Sequence, residues 1–159
     1  MEGGLVGPRD ADAAIDLAMP SIAAALAQRH VSGEGVLHVV VMDPAAGADD
    51  AFERCVLRER SVGDPDAWHA DYRGFARAKA ALAWRHRCDT HDLQALEPHR
   101  LARGDTLLWG SAVHRGIVVA ASGAHPWYDA AFAHAVAAFL AAIAQDKATS
   151  LRGEAHAVP

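Results

Sequence analysis

Apolar and polar positions alternate most tellingly between Gly104 and Gln145, where short apolar runs, a tight turn and a long amphipathic stretch follow one another. The turn lies at His114-Arg115-Gly116, whose glycine accepts a positive φ without steric cost, so a hairpin is predicted there. Ile117 to Ala121 is apolar at every position, which predicts a strand buried on both faces. Beyond the small-residue loop Ala121 to His125, Pro126 stands at a first helical position. Asp129 follows in the first turn, where a carboxylate complements the helix dipole, and Phe132, Val136, Phe139, Leu140 and Ile143 form an inner stripe.

Upstream, Ala11, Ala14, Ile15, Leu17, Ala18, Ile22, Ala25 and Leu26 keep a helical period up to His30. Pro20 interrupts it and predicts two short helices or one kinked helix. After the stop Ser32 to Gly35, Val36 to Met42 reads as a second central strand, with His38 inside it as a satisfied core histidine. Asp43 to Asp50 is turn chemistry, and Phe52 to Arg60 alternates as the next antiparallel strand. From Gly63 to Arg87 the period is helical, opened by Asp64-Pro65-Asp66, with Trp68, Tyr72, Phe75, Lys79 and Leu82 on one stripe. Arg87 to Arg103 is a connector with a short helix at His91 to Leu96, ahead of a strand at Thr106 to Trp109.

The order is helix, strand, strand, helix, connector, strand, strand, helix, with short links that favour antiparallel neighbours. It predicts an α/β sandwich of the α+β kind: a central antiparallel sheet of about four to five strands with helices packed on it. Residues 1–8 are expected to be disordered, 9–146 to form a single domain, and 147–159 to be a flexible tail. No glycine-rich phosphate loop follows the first strand, which disfavours a Rossmann arrangement.

Composition narrows the function classes. A net charge of −5 lacks the basic footprint of sequence-independent nucleic-acid binding, so no nucleic-acid partner is expected. The first residues lack a secretory pattern, and no run of about eighteen strongly apolar residues marks a membrane span, so a cytoplasmic protein with no membrane contact is expected. Cys55 and Cys88 are too few and too far apart for a disulfide framework. Ten histidines invite a haem or metal hypothesis, because imidazole ligates both.

Three pieces of the chain, in order, resemble the GlcG/HbpS-like family, which includes a haem-binding protein and the C-terminal domain of PduO-type proteins. Ala76-Arg77-Ala78-Lys79-Ala80-Ala81 is similar to the family's Lys-Ala helix. His114 to Gly123 is similar to its hairpin, in which a turn glycine leads into a valine-rich strand ending in Ser-Gly. Asp129 is similar to the aspartate that opens the family's last helix. The resemblance spans residues 10 to 145 and implies a profilin-like domain that forms dimers or larger oligomers, with haem or corrinoid-related binding in some members. The chain departs from the family in its unbroken Ile117 to Ala121 strand and in Arg58-Glu59-Arg60-Ser61, where an Arg-Met-Asp pattern is usual.

Several candidate sites follow. Ser122, Gly123 and His125 lie at a strand-to-helix junction, where free N–H groups bind carboxylates or phosphates; a capping role is the alternative. Lys79 shares a stripe with Trp68 and Tyr72 and is placed to pair with Asp129 or with an anionic ligand. His69 and His125 are the haem axial candidates, and His86, Cys88 and His91 form a weak metal-ligand cluster. No nucleophile elbow or metalloprotease motif is present. The expected function is a non-enzymatic domain binding haem, another tetrapyrrole or a small organic anion. The alternatives are a homo-oligomeric interaction protein without a pocket, and a small enzyme with a His/Asp site.

Overall fold

Strand β1 (Leu37–Met42) is buried at every residue, as its unbroken apolar run requires. It pairs antiparallel with β2 (Val56–Val62) on one side and with β4 (Ile117–Ser122) on the other. Strand β3 (Ser111–His114) pairs with β4 through the Arg115-Gly116 turn, giving a four-stranded antiparallel sheet in the order β2-β1-β4-β3. These relations come from a computed structural model, which describes residues 4–155.

Helices cover both faces. Val39 and Val41 of β1, with Val119 and Ala121 of β4, join a core built with α1 (Pro8–Leu26) and α5 (Pro126–Ala155). On the opposite face Val40, Met42, Val118 and Ala120 pack against Ala76, Ala80, Ala83 and Trp84 of α3 (Tyr72–His86). The result is an α+β sandwich whose period-2 strand pattern sends alternate residues to two helical layers. Alanine on α3 lets that helix lie close to the sheet.

Several boundaries differ from the sequence expectation, each for a local reason. Of the two arrangements expected around Pro20, α1 takes the single helix, with Ala14, Ile15, Ala18 and Ile22 buried along one face. It starts at Pro8, and Val6 ahead of it is buried at 7% exposure; residues 1–3 lie outside the described residues. Phe52–Cys55 forms one helical turn, α2, so the second strand starts only at Val56. Pro65–Ala67 is an isolated 3-10 turn with Asp64 accepting from the Asp66 N–H, and α3 begins separately with Asp71 accepting from the Gly74 N–H. Trp68 therefore precedes α3 instead of lying on it.

The strand expected at Thr106–Trp109 is irregular chain, with Leu107 and Leu108 exposed. Gln94 on α4 (Thr90–Leu96) donates to the carbonyls of Thr106 and Leu108, and Gly110 at φ +146 redirects the chain, so pairing starts at Ser111. α5 runs to Ala155, so 147–155 is helical where a flexible tail was expected, and 156–159 lie outside the described residues. By length and composition α5 is long and apolar enough to cross a membrane. Its inner residues Phe132, Ala133, Val136, Ala137 and Leu140 pack in the core against the sheet and α1.

Candidate functional site

Lys79 and Asp129, from helices on opposite faces, meet at one end of the sheet beside Gly110. The ammonium donates to an Asp129 carboxylate oxygen at 3.1 Å and to the Ala121 carbonyl at 2.9 Å. Their side chains are 3% and 2% exposed, so solvent screens neither charge. Burial pushes the Asp129 carboxyl up to about 6 against the pull of Lys79, and burial lowers Lys79 against the pull of Asp129. Gly110 is required here: a Cβ would stand 2.6 Å from the Asp129 Cβ and 3.0 Å from the lysine nitrogen. The expected pairing of Lys79 with Asp129 is thus present, and the pair satisfies itself.

The Ser122–His125 loop is equally self-satisfied. Asp129 accepts the Ala124 N–H at 2.9 Å, and His125 donates its backbone N–H to the Val31 carbonyl at 3.0 Å. The Gly123 carbonyl accepts from the Ser32 hydroxyl at 2.8 Å. Gly123 packs so tightly that a Cβ would fall 2.2 Å from the Val36 carbonyl oxygen. Ser122 is buried in β4 opposite His38. The amides expected to receive an external anion are committed to the protein's own carboxylate and carbonyl, so the loop is a structural cap.

The remaining candidate side chains make contacts of their own. His125 is exposed and stacks on Trp127, with centroids 5.1 Å apart and 7° between planes. His69 has an 84% exposed side chain whose Nδ1 lies 3.3 Å from Glu34, and Glu34 also accepts from the Tyr72 hydroxyl at 2.7 Å. That bond follows burial in pushing the Tyr72 phenol up to about 12. Trp68 sits edge-on to Tyr72 at 5.5 Å and to His38 at 6.1 Å, with its buried indole N–H unpartnered among the described residues. Haem does not fit at His69: its imidazole lies 3.3 Å from the Glu34 carboxylate, and the acidic neighbours Glu34 and Asp64 would repel propionates.

His86, Cys88 and His91 diverge. His86 accepts from Arg85, Cys88 lies 3.5 Å from the Asp89 carbonyl, and His91 lies against Trp109. Among the described residues no three His, Cys, Asp or Glu side chains gather as a metal site.

A chain of polar side chains that sequence reasoning did not assemble lies on the α3 side of β1 and β2. Strand register places His38 directly opposite Ser61 and Val40 opposite Glu59, so all three polar side chains share one face. His38 Nδ1 is 2.8 Å from the Ser61 hydroxyl, and Nε2 is 2.9 Å from a Glu59 oxygen. Arg77 holds the other Glu59 oxygen at 2.6 Å, Arg73 approaches it at 3.5 Å, and Arg77 also bonds Glu53. Burial lowers His38, keeping the imidazole neutral. Burial would raise Glu59, but His38, Arg77 and Arg73 hold it below its ordinary value. His38 is, as expected, a satisfied buried histidine; its partners set the chemistry. The only sequence signal was the shared parity of Glu59 and Ser61 on a strand facing one that carries a histidine.

Two residues beyond Ser61, an open cleft of about 470 Å3 is bordered by Glu34, Val36, Gly63, Asp64, Ala67 and His69. Among the described residues its titratable side chains are two carboxylates and one imidazole. Compared with known protein families, curated proteins and solved structures, the chain matches none.

Proposed function

We propose that this domain binds a small cationic organic molecule in the cleft between the Gly33–Val36 turn, Gly63 and His69. The observation that carries the reading is the lining itself: Glu34 and Asp64 border an open concavity. Carboxylates placed in a concave site attract a cation. The expectation of an organic anion loses support because Asp129 occupies the loop amide that would have held it. Calorimetric titration with choline, as a simple quaternary ammonium probe, tests this. Saturable binding is expected, weakened at least about tenfold by Glu34→Gln, or 1.4 kcal/mol in binding free energy. Absence of saturation in the millimolar range would overturn it.

A second reading has its own support. The outward stripe of α5 exposes Trp127 and Phe139 at 57% and 37%, together with Ala131, Ala138 and Ala142. Only His134, 3.1 Å from Asp89, interrupts it with a titratable group. Small side chains allow two identical helices to approach within about 8–10 Å, so a second copy of this chain is the occupant proposed. Light scattering should then find a dimer or larger homo-oligomer that Phe139→Glu dissociates. A wild type that stays monomeric at high concentration would remove this reading.

A further inference from the structure

We propose that Ser61 is a nucleophile activated by His38 and Glu59, giving the domain esterase activity on small esters of cationic alcohols. The substrate class rests on the cleft reading; the nucleophile does not. Glu59, held ionised by two arginines, only accepts hydrogen bonds, so the His38 Nε2 facing it at 2.9 Å must carry the imidazole proton. Nδ1 is then a lone pair, and the Ser61 hydroxyl 2.8 Å away is the donor that meets it. The serine proton is thereby aimed at a base. His38 is 3% exposed whereas Ser61 is exposed, the arrangement a nucleophile with a sheltered base requires.

The supports are placed for the same task. Arg77 fixes Glu59 by its second oxygen, leaving the first to orient the imidazole. Arg73, 3.5 Å from Glu59, adds a second cation that keeps this carboxylate ionised. Ser61 precedes Gly63 by two residues, so the cleft begins within about 7 Å of it along the chain. That span suits an ester whose ammonium lies by Glu34 and whose carbonyl lies at Ser61.

The step balances without a cofactor. The Ser61 oxygen bonds to the ester carbonyl carbon while its proton passes to His38 Nδ1. The tetrahedral adduct collapses, the carbon–alkoxy bond breaks, and the departing alkoxide takes that proton to leave as the alcohol. Water, deprotonated by the same imidazole, then attacks the acyl-serine, releasing the carboxylic acid and restoring Ser61.

The test is labelling of the full chain with diisopropyl fluorophosphate, located by mass spectrometry, alongside hydrolysis of p-nitrophenyl acetate. The expected result is a single label on Ser61, absent in Ser61→Ala, with labelling and hydrolysis slowed about 100-fold or more in Glu59→Gln and His38→Gln. Ser61 is exposed, so Ser61→Ala should fold as wild type by circular dichroism and still bind choline. Absence of label on Ser61, or labelling indifferent to both His38→Gln and Glu59→Gln, overturns the nucleophile even if choline binds. Label at Ser61 that saturating choline does not slow overturns the substrate class alone.

Discussion

Replacing Lys79 by methionine, Asp129 by asparagine, and both together separates the buried ion pair from its surroundings. Both side chains are almost wholly hidden, at 3% and 2% exposure, so no water can take over when one partner is removed. Breaking a buried pair from one side strands a charge and costs about 3–5 kcal/mol, whereas removing both charges at matched volume is often close to neutral. Independent losses would sum to about 6–10 kcal/mol. The structure instead predicts a double variant less destabilised than Lys79→Met alone, because neither charge remains and asparagine can still accept the Ala124 N–H. The assay is urea unfolding of the four proteins.

The pH dependence adds a sign. Asp129 binds its proton more tightly folded than unfolded, so its contribution is fully present below 3.8 and is lost as pH rises through about 6. Without Lys79 the carboxyl loses its counter-charge and rises further. Lys79→Met should therefore be less destabilising at pH 5 than at pH 8. Single variants that each cost under about 1 kcal/mol and add in the double would refute the reasoning, because exposed pairs behave that way.

Other parts of the fold make their own predictions. His38 is lowered by burial, so as pH falls through 6.5 the unfolded chain takes up the proton first and stability declines; His38→Gln should flatten that part of a pH-stability curve. Gly123→Ala, which would force a Cβ to 2.2 Å from a backbone oxygen at φ +144, should destabilise by about 3 kcal/mol or more in chemical unfolding. Deleting residues 1–7 should lower stability by about 1–3 kcal/mol, because Val6 is buried in the core and the Gly7 N–H donates to Asp10. An unchanged unfolding midpoint would show that this segment packs differently.

The elements legible from sequence were those whose pattern is local and whose burial is complete. Ile117 to Ala121 and Val36 to Met42 announce themselves because central strands covered on both faces tolerate nothing polar except a satisfied histidine. Lys79 and Asp129 were legible as the lysine on an aromatic stripe and the acid in the first turn of the last helix. Thr106 to Trp109 misled because its leucines look like strand yet face solvent, and Gly110 shifts pairing by several residues. Tyr72 as the start of α3 was obscured by Pro65, whose cap opens only a short turn. The Ser61–His38–Glu59 chain was illegible because it depends on the register of two strands joined by a long connection, which tertiary packing decides. The same holds for the loop amides: that Asp129 fills them is a matter of three-dimensional closure.

The proposed site lies on the α3 side of β1 and β2, while the amides of the Ser122–His125 loop are taken up within the protein. The measurement that tests this most directly is a choline titration followed by amide chemical shifts in 15N-labelled protein. Saturable shifts are expected, largest at residues 33–38 and 61–72. Shifts centred on 122–129, or none that saturate, would contradict this placement.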